Sequence, residues 1–372
     1  MTNEAFTYID AHTQEAFDLL CTLAQIPAPS NHEQLRAEFC LNWLHSHGAK
    51  SAYVDSALNV ICPIGDTGSN DLMVFMAHSD VVFPDLDPLP LRIENGRIYC
   101  PGVGDDTANA VALLTVAGYL AEHDLTPKNC GVLLVINSGE EGLGNLKGSR
   151  QIMHDFGHRI KEFITFDGNA TAIVDKAVGS KRFSVAVTTE GGHSYARFGS
   201  PNAIAQLSQL ISRLYEIDVP PIGKTTYNVG TISGGTSVNT IAQKAEMLFE
   251  FRSDEREGLA IMQSHFDRIV EEFRAKGVRI NTQVVGDRPC GVPVNNSALI
   301  SRAAKAVEAH YGFTPHTAPG STDCNVPLSM GISAICPGCV LGAGAHTREE
   351  YVEINSLLPG LKVAFELVLH HF

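Results

Sequence analysis

The residues of this chain that could do chemistry fall in short clusters, most of them at the end of an apolar run. The run 72–77 (LMVFMA) leads into His78-Ser79-Asp80. The run 132–136 (VLLVI) leads into Asn137-Ser138-Gly139-Glu140-Glu141-Gly142, and 163–166 (FITF) into Asp167-Gly168. Gly102-Val103-Gly104-Asp105-Asp106 precedes a nearly all-apolar segment at 107–123, and His346 stands in GAGAHTREEYV. Imidazoles and carboxylates in this mixture suit zinc, and also manganese or cobalt. Two such ions about 3.5–4 Å apart need a bridging carboxylate, and together polarise a carbonyl and activate water.

Each cluster, alone, also has a structural reading. In His78-x-Asp80 the aspartate can accept the second ring N–H, a common way to fix a ligating tautomer, yet a strand-terminal histidine is often only structural. Asp105 or Asp106 could simply face the start of the following helix and complement its dipole. Glu140-Glu141 is harder to explain away, because adjacent like charges beside a glycine are costly unless a cation or solvent offsets them. Asp167 and His346 are weak by themselves. Convergence changes the weighting: in open α/β sheets ligands bind beyond the carboxyl ends of the strands, and four acidic or histidine clusters, the loop at 102–106 included, are expected to converge there.

The elements that must position them follow from the pattern. Segment 12–48 reads as two helices broken by Pro27 and Pro29, with Ser30 or Asn31 able to cap the second. The apolar runs 72–77, 132–136 and 163–166 read as buried strands, and 107–123 as a buried helix. Strands alternating with helices imply a mainly parallel sheet covered on both faces. The middle differs. Strands at 181–189, 224–232, 245–252 and 279–285, with amphipathic helices at 203–215 and 257–276, give a βαββαβ order, that of a small antiparallel sheet with helices on one face. The α/β pattern then resumes with helices at 297–311 and 355–370. The expected division is a catalytic domain at 1–179 and 291–372, with an inserted α+β domain at 180–290.

Composition narrows the function classes. With 372 residues, two domains are the default. A formal net charge of −14 argues against nucleic acid, whose phosphates want clustered Lys and Arg. No run reaches the ~18 uninterrupted apolar residues of a membrane span. The opening MTNEAFTYIDAHTQE has neither the basic nor the apolar part of a signal peptide, so a cytoplasmic protein is expected. Nine scattered cysteines are not a secreted disulfide framework, and Cys336-Pro337-Gly338-Cys339 lacks the second pair of a structural zinc site, so buried thiols are the expectation.

These clusters, together with NGRIYCPGVGDD, TTEGGHSYARFGSPNAI, TSVNTIAQKAEMLFEFRS and GSTDCN, resemble the co-catalytic zinc family. That family includes the aminoacylases, acetylornithine deacetylase, succinyl-diaminopimelate desuccinylase, glutamate carboxypeptidase and peptidase T. The resemblance covers nearly the whole chain. It implies a metallopeptidase domain carrying a dimerisation or lid domain, and two divalent ions, zinc by preference with manganese or cobalt as alternatives. His78 and Asp167 would hold one ion, Glu141 and His346 the other, and Asp105 would bridge them. Asp80 would orient His78. Glu140 would be the general base. His193 would reach the partner subunit's site in a homodimer and help hold the oxyanion, while Asn239 and Arg252 would contact substrate, Arg252 through a bidentate grip on a carboxylate. The Asp105–Asp106 peptide would be cis. The sequence departs from relatives just after Asp105, where Asp106-Thr107-Ala108 replaces the usual residue followed by Lys-Gly or a similar pair. The short gap from His78 to Asp105 suits the glutamate carboxypeptidase and shorter peptidase T-like branches.

The implied activity is hydrolysis of a peptide or amide bond in a short peptide or N-acyl amino acid. Substrate choice among these depends on pocket shape. The competing reading is a catalytically silent binding or scaffold protein of the same fold, which loss of a ligand or of the base would mark; every expected position is filled. An oxidoreductase lacks its fingerprint, since Gly102-Val103-Gly104-Asp105 does not complete GxGxxG.

Overall fold

The apolar runs that lead into the chemical clusters are adjacent strands. Leu72–His78 lies between Gly131–Asn137 and Ile160–Thr165 and runs parallel to both. Side chains alternate along it. Val74 and Met76 enter one core with Leu133, Val135 and Ile152. Phe75 and Ala77 enter the other with Leu134, Ile136, Leu114 and Phe365. Burial on both faces is why these strands read as unbroken apolar runs rather than as an alternation.

The computed structural model describes residues 1–372 and divides into two units, Met1–Ala177 with Val292–Phe372, and Val178–Gly291. In the first unit an eight-stranded sheet runs in the order Tyr53–Val54, Val60–Gly65, Gly131–Asn137, Leu72–His78, Ile160–Thr165, Ser333–Pro337, Ala172–Ala177, His316–Gly320. Its central pairings are parallel, and Val60–Gly65 joins antiparallel. The helix Ala108–Glu122 is buried continuously from Ala108 to Leu120. A small antiparallel sheet joins Gly342–Ala343, Tyr351–Glu353, Arg97–Tyr99 and Arg92–Glu94. No helix is long and apolar enough to cross a membrane.

Two local expectations fail. The first helix begins well before residue 12, spanning Asn3–Gln25, with the Thr2 hydroxyl accepting from the Ala5 N–H. The second begins at Gln34, so neither Ser30 nor Asn31 caps it. Asn31 instead takes a left-handed turn at φ 73°, and the Ser30 hydroxyl points away from the helix, to Asp80.

In the second unit, Thr225–Gly234, Lys244–Ser253, Gly179–Thr188 and Arg279–Arg288 form an antiparallel sheet in that order. Alternate residues Phe183, Val185, Val187, Met247, Phe249 and Phe251 share a core with Leu207 and Leu210 of Ala203–Leu214 and with Met262, Phe266 and Ile269 of Arg256–Ala275. The βαββαβ order is therefore present. Thr225–Gly234 is an edge strand. A short ribbon pairs Gly192–His193 with Thr240–Ile241.

Candidate metal centre

Parallel strands bring their carboxyl ends to one side, and the clusters arrive there with them. His78 closes its strand, 1% exposed. Its ring Nδ1 lies 3.0 Å from the main-chain carbonyl of Asp80. Donation there leaves the Nε2 lone pair facing Asp105 Oδ1 at 3.0 Å. The second oxygen of Asp105 faces His346 Nε2 at 3.2 Å, and the same nitrogen lies 2.9 Å from Glu141 Oε1. Ligand atoms of His78, Asp105 and Glu141 all fall within 4.8 Å of one another, and so do those of His78, Asp106 and Asp167.

Each backbone turn is shaped for this. Gly102 has φ 77°, and a Cβ there would stand 2.2 Å from Val81 Cγ1. The next residues, Val103–Thr107, form a tight irregular turn with a cis Asp105–Asp106 peptide. No side chain caps the helix that begins at Ala108. Asp106, which could have served as a helix-start charge, instead accepts the His78 backbone N–H at 3.0 Å and the Asn109 amide at 2.5 Å. Asn109 in turn receives the Cys339 N–H at 2.8 Å.

Asp80 faces the His78 ring and also does more than that. Its Oδ1 stands 3.5 Å from His78 Nδ1, farther than its own carbonyl. The carboxylate accepts the N–H groups of Glu140 and Glu141, each at 2.9 Å, and the Ser30 hydroxyl at 2.7 Å. It therefore fixes the Glu140-Glu141 turn as well as neighbouring the imidazole. Glu140 and Glu141 are 4% and 5% exposed.

The charges test whether a cation fits. Burial, with Asp105 adding to it, pushes Asp167 up to about 7. Burial likewise holds Asp106 well above the usual carboxylate range. Hydrogen bonds donated to Asp105 and then Glu141 raise His346 to about 10. For His78, burial acts downward, but bonds to Asp105 and Asp80 outweigh it and raise the imidazole well above its ordinary value. Without metal, protons must fill the space between facing lone pairs. Donors at about 2.0–2.2 Å from a common tetrahedral ion stand about 3.3–3.6 Å apart, and the facing atoms, at 2.9–3.2 Å, lie close to that spacing. The donor set therefore fits divalent metal.

Several supporting residues carry no sequence signal. The buried Arg36 guanidinium donates to the carbonyls of Ala24, Ile26 and Ser79 and to the Thr107 hydroxyl, at 2.8–3.3 Å. It ties the segment after the first helix to both ligand turns. Buried Glu33 pairs with Lys147 at 3.1 Å. Buried Glu350 accepts three backbone N–H groups of the Asp105 turn. A cavity of about 50 Å³ opens beside Asp105, lined partly by Gly104, Gly168, Asn169, Gly342 and Ala345. Cys336 and Cys339 are buried thiols, not an exposed pair.

His193, Asn239 and Arg252 belong to the second unit. His193 is exposed in the Gly192–His193 ribbon, opposite Thr240. The main-chain carbonyl of Asn239 accepts the Ser194 N–H at 2.9 Å, which places Asn239 next to that ribbon. Arg252 is engaged by Glu250, at 2.9 and 3.1 Å. The bidentate grip expected for a substrate carboxylate is thus directed at a neighbouring side chain.

Residues 74–370 match the model of peptidase family M20/M25/M40. Carboxypeptidase G2 of Pseudomonas sp. (strain RS-16) is 22% identical over 332 residues, 86% of this chain and 79% of that protein. Acetylornithine deacetylase of Myxococcus xanthus is 25% identical over 334 residues, 84% of each. The fold is that of a tripeptidase crystal structure from Staphylococcus aureus subsp. aureus Mu50, with TM-score 0.76 and 21% identity over 96% of this chain and 97% of that one.

Proposed function

The chain belongs to peptidase family M20/M25/M40 and is a metal-dependent hydrolase of the peptidase and amidohydrolase type; from that premise we propose that it cleaves the amide bond of a short peptide or N-acyl amino acid with a pair of zinc ions. The carrying observation is Asp105, whose two oxygens face two imidazoles far apart in the sequence, His78 and His346.

In this reading His78 and Asp167 would hold one ion and Glu141 and His346 the other, with Asp105 shared between them. When bound, the ions would supply carbonyl polarisation and a more acidic water. Glu140 sits beside a ligand on a turn held by Asp80. Glu140 takes a proton from the attacking water as the O–C bond forms, and delivers it to the leaving nitrogen as the C–N bond breaks. The small residues beside Asp105 leave room for the scissile group. His193, Asn239 and Arg252 bind substrate from the second unit, with His193 serving the partner's site in a homodimer. Arg252 then exchanges Glu250 for a substrate carboxylate.

The test is a panel of dipeptides, tripeptides and N-acetyl, N-succinyl and longer N-acyl amino acids, run with and without chelator. Chelation should abolish turnover, and zinc, manganese or cobalt should restore it. Full activity in exhaustively demetallated protein would rule out the mechanism.

A further inference from the structure

Glu350 stands four residues beyond His346 and exposes 2% of its surface. Its Oε1 accepts the N–H groups of Gly104 and Asp105, and its Oε2 that of Gly102, all at 2.8 Å. All three amides lie in the turn that presents Asp105. The Glu350 backbone faces both ways. Its carbonyl accepts the Cys100 N–H at 3.2 Å, and its N–H donates to Thr347 within the loop that carries His346. One carboxylate thus joins two ligand-bearing segments 245 residues apart. The turn is moulded to it: a Cβ on Gly104 would stand 3.3 Å from Glu350 Oε1.

The neighbouring pairs on this loop are of another kind. Arg348 grips Asp85 at 3.0 and 2.6 Å, and Arg92 reaches Glu349 at 2.5 Å, both at the exposed surface. Exposed pairs of this sort contribute little and yield to solvent. Glu350 is the buried joint.

We propose that Glu350 is a positioning residue, whose carboxylate keeps the Asp105 turn and the His346 loop at the spacing, 3.2 Å between Asp105 Oδ2 and His346 Nε2, at which both can hold the same divalent ion. The proposal rests on the metal-centre reading above. The side chain is not one of the proposed ligands; it acts through Asp105, whose turn it holds. A glutamine keeps the shape but turns an N–H toward an amide donor, so at least one turn amide loses its acceptor. Residues that orient ligands in this way typically govern metal affinity by about 10–100-fold.

The experiment is zinc binding by competition with a chromophoric chelator. It compares the wild type, Glu350→Gln, Glu350→Asp and the surface control Glu349→Gln, with melting temperatures taken with and without zinc. Glu350→Gln should bind its weaker ion about 10–100-fold less tightly and gain less in melting temperature on adding zinc. Glu349→Gln should match the wild type. Wild-type zinc affinity in Glu350→Gln, with melting lowered equally in both conditions, would reduce Glu350 to a structural role and overturn the proposal. Should Glu350→Gln not fold, Glu350→Asp decides. It keeps the charge on a shorter stem, and wild-type affinity there overturns the proposal equally. A wild type that takes up no zinc would sink the metal-centre reading itself, whereas unchanged variants beside a zinc-binding wild type sink only this inference.

Discussion

Glu140 and Glu141 are adjacent, similarly buried and fixed by the same aspartate, yet the proposed roles differ. Glu141 reaches His346; Glu140 is the proposed group for proton transfer. Glu140→Gln should therefore retain near-normal metal content while kcat falls on the order of 10²-fold or more. Glu141→Gln should lose metal first. Metal analysis alongside kinetics separates the two, and exchanged phenotypes would reverse the assignment. At this scale the sequence is legible where chemistry is concentrated. Glu140-Glu141 beside a glycine is hard to explain without a cation or solvent, whereas His78, Asp105, Asp167 and His346 gain their weight from convergence and from the family resemblance. Arg36, Ser30, Asp106 and Glu350 are not legible in that way. Their importance lies in partners 43, 50, 28 and up to 248 residues distant, and nothing local distinguishes them from an ordinary helix arginine, loop serine or acidic pair.

Among the elements, the buried strands were readable because two-sided burial leaves an apolar signature, and those of the second unit because one-sided burial leaves an alternation. The segment between the first two helices was misread. Ser30 has the chemistry of a helix cap, but its hydroxyl is drawn to a buried carboxylate at 2.7 Å. One strand also carries a charge with a measurable signature. Glu162, on Ile160–Thr165, accepts both arms of Arg302 at 2.8 and 3.1 Å and lies 3.5 Å from His371. Burial acts to raise its pKa, but the bonds from His371 and Arg302 prevail and lower it to about 2. A carboxylate lowered on folding stabilises above its unfolded pKa, about 4.3, and loses that contribution as pH falls through the folded value. The melting-temperature gap between wild type and Glu162→Gln should thus be open at about pH 5.5 and close progressively below about pH 4. A gap that widens in acid would contradict this assignment.

For the whole molecule, the proposed homodimer has an exposed instrument in the second unit. Thr225–Gly234 is a largely exposed edge strand of the kind that proteins pair or cover, and exposed Tyr195 and Phe198 follow His193. Mixing His193→Ala subunits with Glu140→Ala subunits should recover activity, since one site in each mixed dimer then has both its base and a donated histidine. Proven subunit exchange without recovery would confine His193 to its own chain. The first unit has a different property, set by the order of its strands. Ser333–Pro337 does not extend the sheet at an edge; it lies between Ile160–Thr165 and Ala172–Ala177. During synthesis on a ribosome, the strands made first must hold a gap open while residues 178–291, an uninterrupted segment, can fold. At about 5–20 residues per second, roughly 8–30 s pass before the missing strand emerges. His346 comes later still, so a nascent chain cannot assemble the proposed ligand set until the segment that follows the second unit has also been made.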